Sequence, residues 1–123
     1  MAEVSLSQLQ PERLAERRVD SHYEFDLRVP DDLAVWPGHF PEFFLVPGVL
    51  QVDWVMRLAS ERLGLVAVPP RIEGLKFKTP LRPQQRFTLR LDVSPDGRVI
   101  EFELASPTEV YSRGRLHLDR ESR

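Results

Sequence analysis

The sequence predicts an α+β fold in which a curved antiparallel sheet wraps around one long central helix. Three observations predict it: an early segment in which apolar and polar residues alternate, one long apolar segment with the punctuation of a helix, and a series of further alternating segments towards the C-terminus. A helix and the concave face of a sheet can bury apolar surface against each other, so this order of elements has few compact arrangements.

The first alternating segment covers residues 22–29, HYEFDLRV, and has the period of a half-buried strand. Its odd-numbered positions are apolar, and its even-numbered positions are polar or charged. Residues 1–18 before it are mostly polar, with irregularly spaced leucines. They are compatible with a first strand, a short helix or a frayed peripheral arm, and these alternatives stay open.

Residues 30–47 predict a stiff apolar loop, because four prolines fix φ along it and bias the residues before them away from helix. The same segment carries several aromatic residues: Trp36, Phe40, Phe43 and Phe44. Rigid irregular backbone of this kind has to pack against the rest of the fold, and such loops commonly carry functional sites.

The long apolar segment, residues 47–63, predicts the helix. Pro47 at its opening and Gly64 just beyond its end are the residue types expected at helix starts and stops. The first two-thirds of the segment is apolar on nearly every side. We therefore expect the helix to be enclosed by the rest of the fold.

The C-terminal half of the chain predicts four strands that follow one another in an antiparallel meander. They are residues 72–77, 87–93, 99–104 and 110–118. Two turns separate the last three: Pro-Asp-Gly at residues 95–97, where glycine supplies a positive φ, and Ser-Pro-Thr at residues 106–108.

The composition fits a single domain over residues 1–123, with 41% hydrophobic residues for one core. A domain of this size leaves much surface exposed, which favours association. The formal net charge of -2 gives no whole-chain attraction to nucleic acid or to an anionic membrane. The lack of cysteine excludes a disulfide framework, thiolate zinc ligation and a cysteine nucleophile. With no apolar signal segment and no membrane-spanning run, we expect a cytoplasmic protein.

Asp53 is the first candidate for chemistry, because it lies among apolar neighbours in the helix segment. An unpaired carboxylate in such surroundings is costly and tends to keep its proton, which suits a general acid. The alternative is a structural aspartate that accepts hydrogen bonds from loop backbone.

His39 is the second candidate, in the apolar loop just before the helix. A neutral imidazole there could act as a base near pH 7. We interpret the other two histidines, His22 and His117, as structural, since both lie in alternating strand segments. The helix start a few residues after His39 offers unpaired N–H groups to a developing oxyanion.

The segment GHFPEFFLVPGVLQVD, residues 38–53, resembles the signature of the 3-hydroxyacyl-[acyl-carrier-protein] dehydratases, which reads approximately GHFPGxPxxPGVLxxE or ends in aspartate. A later segment, IEGLKFKTPLRPQQRF, is similar to the IxxxKFxxPVxPGDxL stretch of the same family. The resemblance covers roughly residues 20–119. The QVDW wording is most similar to the dehydratases of aryl-polyene type pathways.

The resemblance implies a hot-dog fold and a dimer in which the histidine of one chain faces the acid of the other. His39 would take a proton from C2 of the acyl group, and Asp53 would protonate or orient the departing C3 hydroxyl. The implied substrate-binding residues are Gly48, Val49, Phe40, Phe44 and Trp54, with the Gly48 N–H on the thioester carbonyl. The implied substrate is bound to an acyl carrier protein, and no cofactor or metal is expected.

Three positions depart from the family pattern. Glu42 stands in place of a glycine, Phe44 in place of a proline, and Arg57 in place of a glutamine. An arginine one helical turn from Asp53 can pair with it and weaken it as an acid. These departures leave open a non-catalytic or half-active subunit that pairs with a sister hot-dog protein. A further alternative, from a neighbouring enzyme class, is an acyl thioesterase in which a carboxylate activates water at the thioester carbonyl, although the histidine of the GHFP segment argues against it.

The segment from Arg71 to Arg90 holds six basic residues and one acid. Such a patch suits an acidic carrier protein and a phosphopantetheine phosphate. The other interpretation is a solvated strand face whose charges protect a sheet edge.

Overall fold

The computed structural model describes residues 10–30, 45–64 and 71–118. These residues form one helix and one antiparallel sheet of six strands, in the order β1-β2-β4-β5-β6-β3. The elements are β1 (Glu12–Val19), β2 (His22–Arg28), α1 (Gly48–Leu63), β3 (Arg71–Phe77), β4 (Arg86–Val93), β5 (Val99–Ala105) and β6 (Val110–His117). The predicted fold class is confirmed, and the predicted element bounds agree with these to within a residue or two.

The N-terminal segment is a strand from Glu12 onward. Of the three alternatives for residues 1–18, the first strand is therefore confirmed for this part of the segment. All eight residues of β1 are exposed, and the strand is held by its pairing with β2 and by two ion pairs to the end of α1. Arg13 lies 2.7 Å from Glu61, and Glu16 pairs with Arg62.

The expected four-strand meander is only partly correct. β4, β5 and β6 do form a meander, but β3 pairs with β6 at the far edge of the sheet instead of with β4. The reason is that β2 already occupies that side of β4 along its whole length, from the pair His22 and Asp92 to the pair Arg28 and Arg86.

The two turns within the meander form as expected. Gly97 has a φ of 74°, and its N–H donates to the Ser94 carbonyl at 2.9 Å. In the second turn the Ser106 hydroxyl accepts from the N–H groups of Thr108 and Glu109 at 3.3 and 3.1 Å.

The core lies between the inner face of the sheet and one side of α1. Trp54 of α1 is fully buried, and its ring stacks on Phe87 of β4 with centroids 5.8 Å apart. Large aliphatic side chains from both layers, and one from the segment between β3 and β4, are also fully buried: Leu27, Leu50, Leu81, Leu89, Leu91, Ile100, Leu104 and Leu116. Each contributes about 1.5–3 kcal/mol by leaving water.

The expectation that α1 is enclosed on every side is wrong for this chain. Val49 is 63% exposed and Arg57 is exposed, while Val52, Asp53 and Met56 between them are only partly buried. A single sheet covers one side of a helix, so the other remains open, and we call it the open side of α1. No helix in the described part of the chain is long and apolar enough to span a membrane.

Candidate active site

Asp53 lies on the open side of α1 and its side chain is 20% exposed. Arg57, one turn later, donates a hydrogen bond from Nε to Asp53 Oδ2 at 2.8 Å. The pairing expected from the i, i+4 spacing is therefore confirmed. The expectation of a carboxylate surrounded by apolar groups is wrong, because Asp53 is beside a guanidinium and partly open to solvent.

Gly48 is the first residue of α1, and the ring of Phe77 packs directly against it. A Cβ added at Gly48 would lie 2.5 Å from Phe77 Cζ and 2.8 Å from Cε2, so no larger residue fits without moving the ring. The neighbouring Val49 belongs to the open side. The start of α1 and the end of β3 therefore form one continuous surface.

Phe77 was not singled out from the sequence as a site residue. It is 49% exposed although it is a large aromatic side chain at the end of a strand. The signal that could have identified it is its place in the KFKTP stretch, which is part of the family resemblance.

Trp54 has a different setting from the other expected substrate-binding residues. It is fully buried against Phe87 in the core of the chain, whereas Val49 is exposed. Its contact with substrate stays a prediction.

His39, Phe40 and Phe44 lie outside the described residues, as does Glu42. The convergence of His39 and Asp53 therefore stays a prediction. The two histidines interpreted as structural both lie on strands, where each faces a carboxylate. His22 Nε2 is 3.1 Å from Glu24 Oε2, and His117 Nε2 is 2.9 Å from Glu73 Oε1.

The basic residues between 71 and 90 are all exposed, but they do not form one uniform surface. Arg90 lies on the outer sheet face, directly across from Glu24 on β2 and Glu103 on β5. Opposite charges at such cross-strand positions support each other, which favours the solvated-face interpretation for Arg90. Lys76 lies across from another cation, Arg113, at the β3 edge. Arg86 likewise lies across from Arg28 of β2. For these two positions the carrier-binding interpretation stays a prediction.

The edge strand β3 exposes apolar side chains. Ile72 is 37% exposed, Leu75 is 38% exposed, and Phe77 is the most open of the three. Within the described ranges β3 pairs with a strand on one side only. An apolar edge of this kind is a template for pairing with another strand.

A six-stranded antiparallel sheet in this order around one long helix is the hot-dog fold, which defines the class of protein. The chain belongs to the ApeI-like dehydratase family, since the family model for ApeI dehydratase matches residues 15–115. This match confirms the resemblance inferred from the signature at residues 38–53.

Solved structures agree with the family assignment. The dehydratase heterocomplex ApeI:P from Xenorhabdus doucetiae matches with a TM-score of 0.78 and 28% identity, over 90% of this chain and 99% of that one. An uncharacterised protein from Erwinia carotovora subsp. atroseptica matches with a TM-score of 0.66 and 26% identity, over 87% and 94%. Thioesterase superfamily member 2 from Mus musculus has a TM-score of 0.64 but 13% identity, over 89% and 82%, and so shares the fold alone. No curated protein sequence matches the chain.

Proposed function

We propose that this chain is a dehydratase that converts a 3-hydroxyacyl thioester on an acyl carrier protein to the trans-2-enoyl thioester, in fatty-acid or aryl-polyene-like acyl chain synthesis. The observation that carries the proposal is Asp53 on the open side of α1, within a signature that also holds His39 and Gly48.

His39 and Asp53 together supply the base and the acid that the elimination of water needs. His39 takes the C2 proton, the C3–O bond breaks, and the electron pair left at C2 forms the double bond to C3. Asp53 gives a proton to the departing hydroxyl, which leaves as water, and the proton on His39 then returns to Asp53 through solvent. Transfer to or from positioned groups of this kind typically contributes roughly 100- to 10,000-fold to a rate.

The start of α1 supplies a place for the thioester carbonyl. The first N–H groups of a helix have no partner within the helix, and such donors stabilise a developing oxyanion. In this chain the first N–H belongs to Gly48, and the apolar ring of Phe77 lies beside it. A thioester with its carbonyl at Gly48 would therefore have an apolar wall for the adjoining acyl chain.

We also propose that a second chain covers the open side of α1 and the β3 edge. Both surfaces expose apolar residues, and they join where Phe77 contacts Gly48. The second chain is another copy in a homodimer or a sister hot-dog subunit. The second possibility is supported by the similar heterocomplex ApeI:P. The exposed cations near β3 would then attract the acidic carrier protein, and that attraction would weaken as salt rises.

The direct test is to incubate the protein with a 3-hydroxyacyl thioester on carrier protein and to follow formation of the enoyl product. Wild type is expected to release water, and His39→Ala and Asp53→Ala variants are expected to lose most of that activity. Unchanged water loss in both variants would contradict the proposal. Free thiol without enoyl product would favour an acyl thioesterase instead.

A second candidate function is a non-catalytic or half-active subunit of a heteromeric dehydratase. The observation that favours it is the Asp53–Arg57 pair, in which arginine replaces the glutamine common in the family. Protein that is inactive alone but active after mixing with a sister hot-dog subunit would support this function. Full activity as a homodimer would exclude it.

A further inference from the structure

We propose that Gln51 is a positioning residue, whose side-chain amide fixes the backbone that delivers Gly48 to the start of α1. The inference rests on the proposed function, in which the Gly48 N–H receives the thioester carbonyl. Gln51 lies in the first turn of the helix but points away from the open side, and it is only 4% exposed.

The hydrogen bonds of Val46 carry the inference. Gln51 Nε2 donates to the Val46 carbonyl at 3.1 Å, and the Val46 N–H donates to the Leu81 carbonyl at 2.7 Å. Both backbone polar groups of Val46 are therefore held, one by the helix itself and the other by the segment that follows β3. Val46 and Leu81 are also buried, so these bonds are shielded from water.

The start of α1 needs such support because it has no side-chain cap. Its N-cap residue is Pro47, which has neither a polar side chain nor an N–H to contribute. The N–H groups of Leu50 and Gln51 both bond to the Pro47 carbonyl at 3.1 Å. The orientation of the first turn therefore depends on how the residue before Pro47 is held.

Phe77 limits the start of α1 from the other side. Its ring leaves no room at Gly48 even for a methyl group, so a small displacement of the helix start changes the space beside the Gly48 N–H. The Gln51 bond to Val46 and the Phe77 ring together fix the place where a carbonyl oxygen would bind.

The buried amide of Gln51 lowers the stability of the fold in a way that core packing does not explain. Its Oε1 is buried and accepts no hydrogen bond within the described residues. A buried acceptor without a partner is unfavourable for stability, and an apolar side chain of the same length would avoid it. The bond from Nε2 to Val46 gives a reason for an amide at this position.

The test is Gln51→Met, which keeps the length of the side chain and removes both the donor and the unpaired acceptor. We expect a folded protein with a KM near that of wild type and a kcat lower by about 10-fold. Such a loss is a fraction of the roughly 100- to 1,000-fold that follows removal of an oxyanion donor. A control outside this network is Thr88→Val, which removes the bond from Thr88 Oγ1 to Asp26 Oδ1 at 3.0 Å on the outer face of the sheet. We expect wild-type kcat and KM from this control.

Amide hydrogen exchange gives a second readout that does not depend on activity. In Gln51→Met the amides of Val46 and Gly48 are expected to exchange faster, while the amides of β4 and β5 keep their wild-type rates. If wild type proves inactive on every thioester, the proposed function fails, and the exchange rates alone decide the role of Gln51. Unchanged exchange, or faster exchange with an unchanged kcat in an active enzyme, would overturn the inference.

Gln51→Asn covers the case in which methionine prevents folding. It keeps the amide but is one methylene shorter, so it cannot reach Val46 as glutamine does. We expect the same loss of kcat as in Gln51→Met. Wild-type kcat in Gln51→Asn would show that the bond to Val46 does not position the site.

Discussion

Arg57 Nε donates a 2.8 Å hydrogen bond to Asp53 Oδ2 on the open side of α1. The arginine side chain is 44% exposed and that of Asp53 is 20% exposed, so the pair is partly solvated. The bond occupies Asp53 Oδ2, whereas the proposed reaction needs the carboxyl group of Asp53 to reach the leaving hydroxyl. The pair is therefore the feature of this chain that most directly limits the proposed acid.

We expect Arg57→Gln to raise kcat several-fold, because it removes the guanidinium that bonds to Asp53 Oδ2 and restores the residue common in the family. Its effect on the free energy of unfolding should be small, about 0.3–0.5 kcal/mol, as for other exposed i, i+4 pairs. Initial rates of enoyl formation and thermal unfolding measure the two effects. Arg57→Lys, which keeps the charge, serves as the control and should behave as wild type. A fall in kcat in Arg57→Gln would instead make the arginine part of the site.

Gly48→Ala is expected to destabilise the protein by about 1–3 kcal/mol, the usual cost of adding a group to a packed position. The new Cβ would meet the Phe77 ring, so either the ring or the helix start has to move. Dehydratase activity should fall with it, because the displaced N–H no longer faces the carbonyl. Urea unfolding and initial rates measure both losses.

The matched control for this prediction is the double variant Gly48→Ala with Phe77→Ala. It removes the ring that causes the collision, so the two substitutions should be strongly non-additive in the free energy of unfolding. Additive effects would mean that Phe77 does not limit the residue at position 48.

Leu75→Lys is expected to convert the proposed dimer to a monomer. Leu75 is exposed on the β3 edge, where a charged side chain would be buried against the second chain. Val19→Lys is the control, because Val19 is 56% exposed on β1 at the opposite edge of the sheet. Molar mass from light scattering should fall for Leu75→Lys and stay at the wild-type value for Val19→Lys. An unchanged mass in both variants would place the interface elsewhere.

Arg17 makes part of the folding stability depend on pH. Its hydrogen bonds are the main cause that lowers the pKa of Asp26 below the ordinary 3.8. The pKa of Glu24 is lowered below 4.5 first by the bond to His22 and next by the bond from Arg17. Carboxylates with a depressed pKa in the folded state stabilise it above their ordinary pKa, and this contribution is lost as pH falls through the folded-state pKa.

Arg17→Met should therefore be less stable than wild type at pH 7, by a small amount because the groups are partly exposed. The difference between the two proteins should shrink as pH falls below about 4. Urea unfolding over the acid range measures it, with the exposed Arg82 replaced in Arg82→Met as a control outside this cluster. A difference that stays constant with pH would show that Arg17 acts through packing alone.

The element bounds could be predicted because local periodicity determines them, as in the alternation of His22–Arg28 and the helix punctuation at Pro47 and Gly64. The position of β3 could not, because it depends on which edge of β4 is already occupied by β2. Likewise, an apolar helix surface indicates that something covers it, but not whether the cover is the same chain. Val49 shows that in this chain part of the surface stays open.

The contacts of the candidate site also fall into two groups, those that the sequence predicts and those that it does not. The pairing of Asp53 with Arg57 follows from spacing within one helix and was predictable. The contact of Phe77 with Gly48 joins the end of a strand to the start of a helix, so it needed the tertiary structure. The bond from Gln51 to Val46 was also missed, since a glutamine among apolar residues gives no sign of its hydrogen-bond partner.

Mixing two inactive variants tests whether His39 and Asp53 act across the dimer interface. If they do, a mixed dimer of His39→Ala and Asp53→Asn chains has one site with both defects and one intact site. Random re-association makes half of the dimers mixed, so about a quarter of wild-type activity should return, whereas each variant alone stays inactive. Denaturing and refolding the equimolar mixture, then measuring enoyl formation, gives the result. The control is each variant refolded alone. Absence of recovery, with mixed dimers detected by mass spectrometry, would mean that each site is built within one chain.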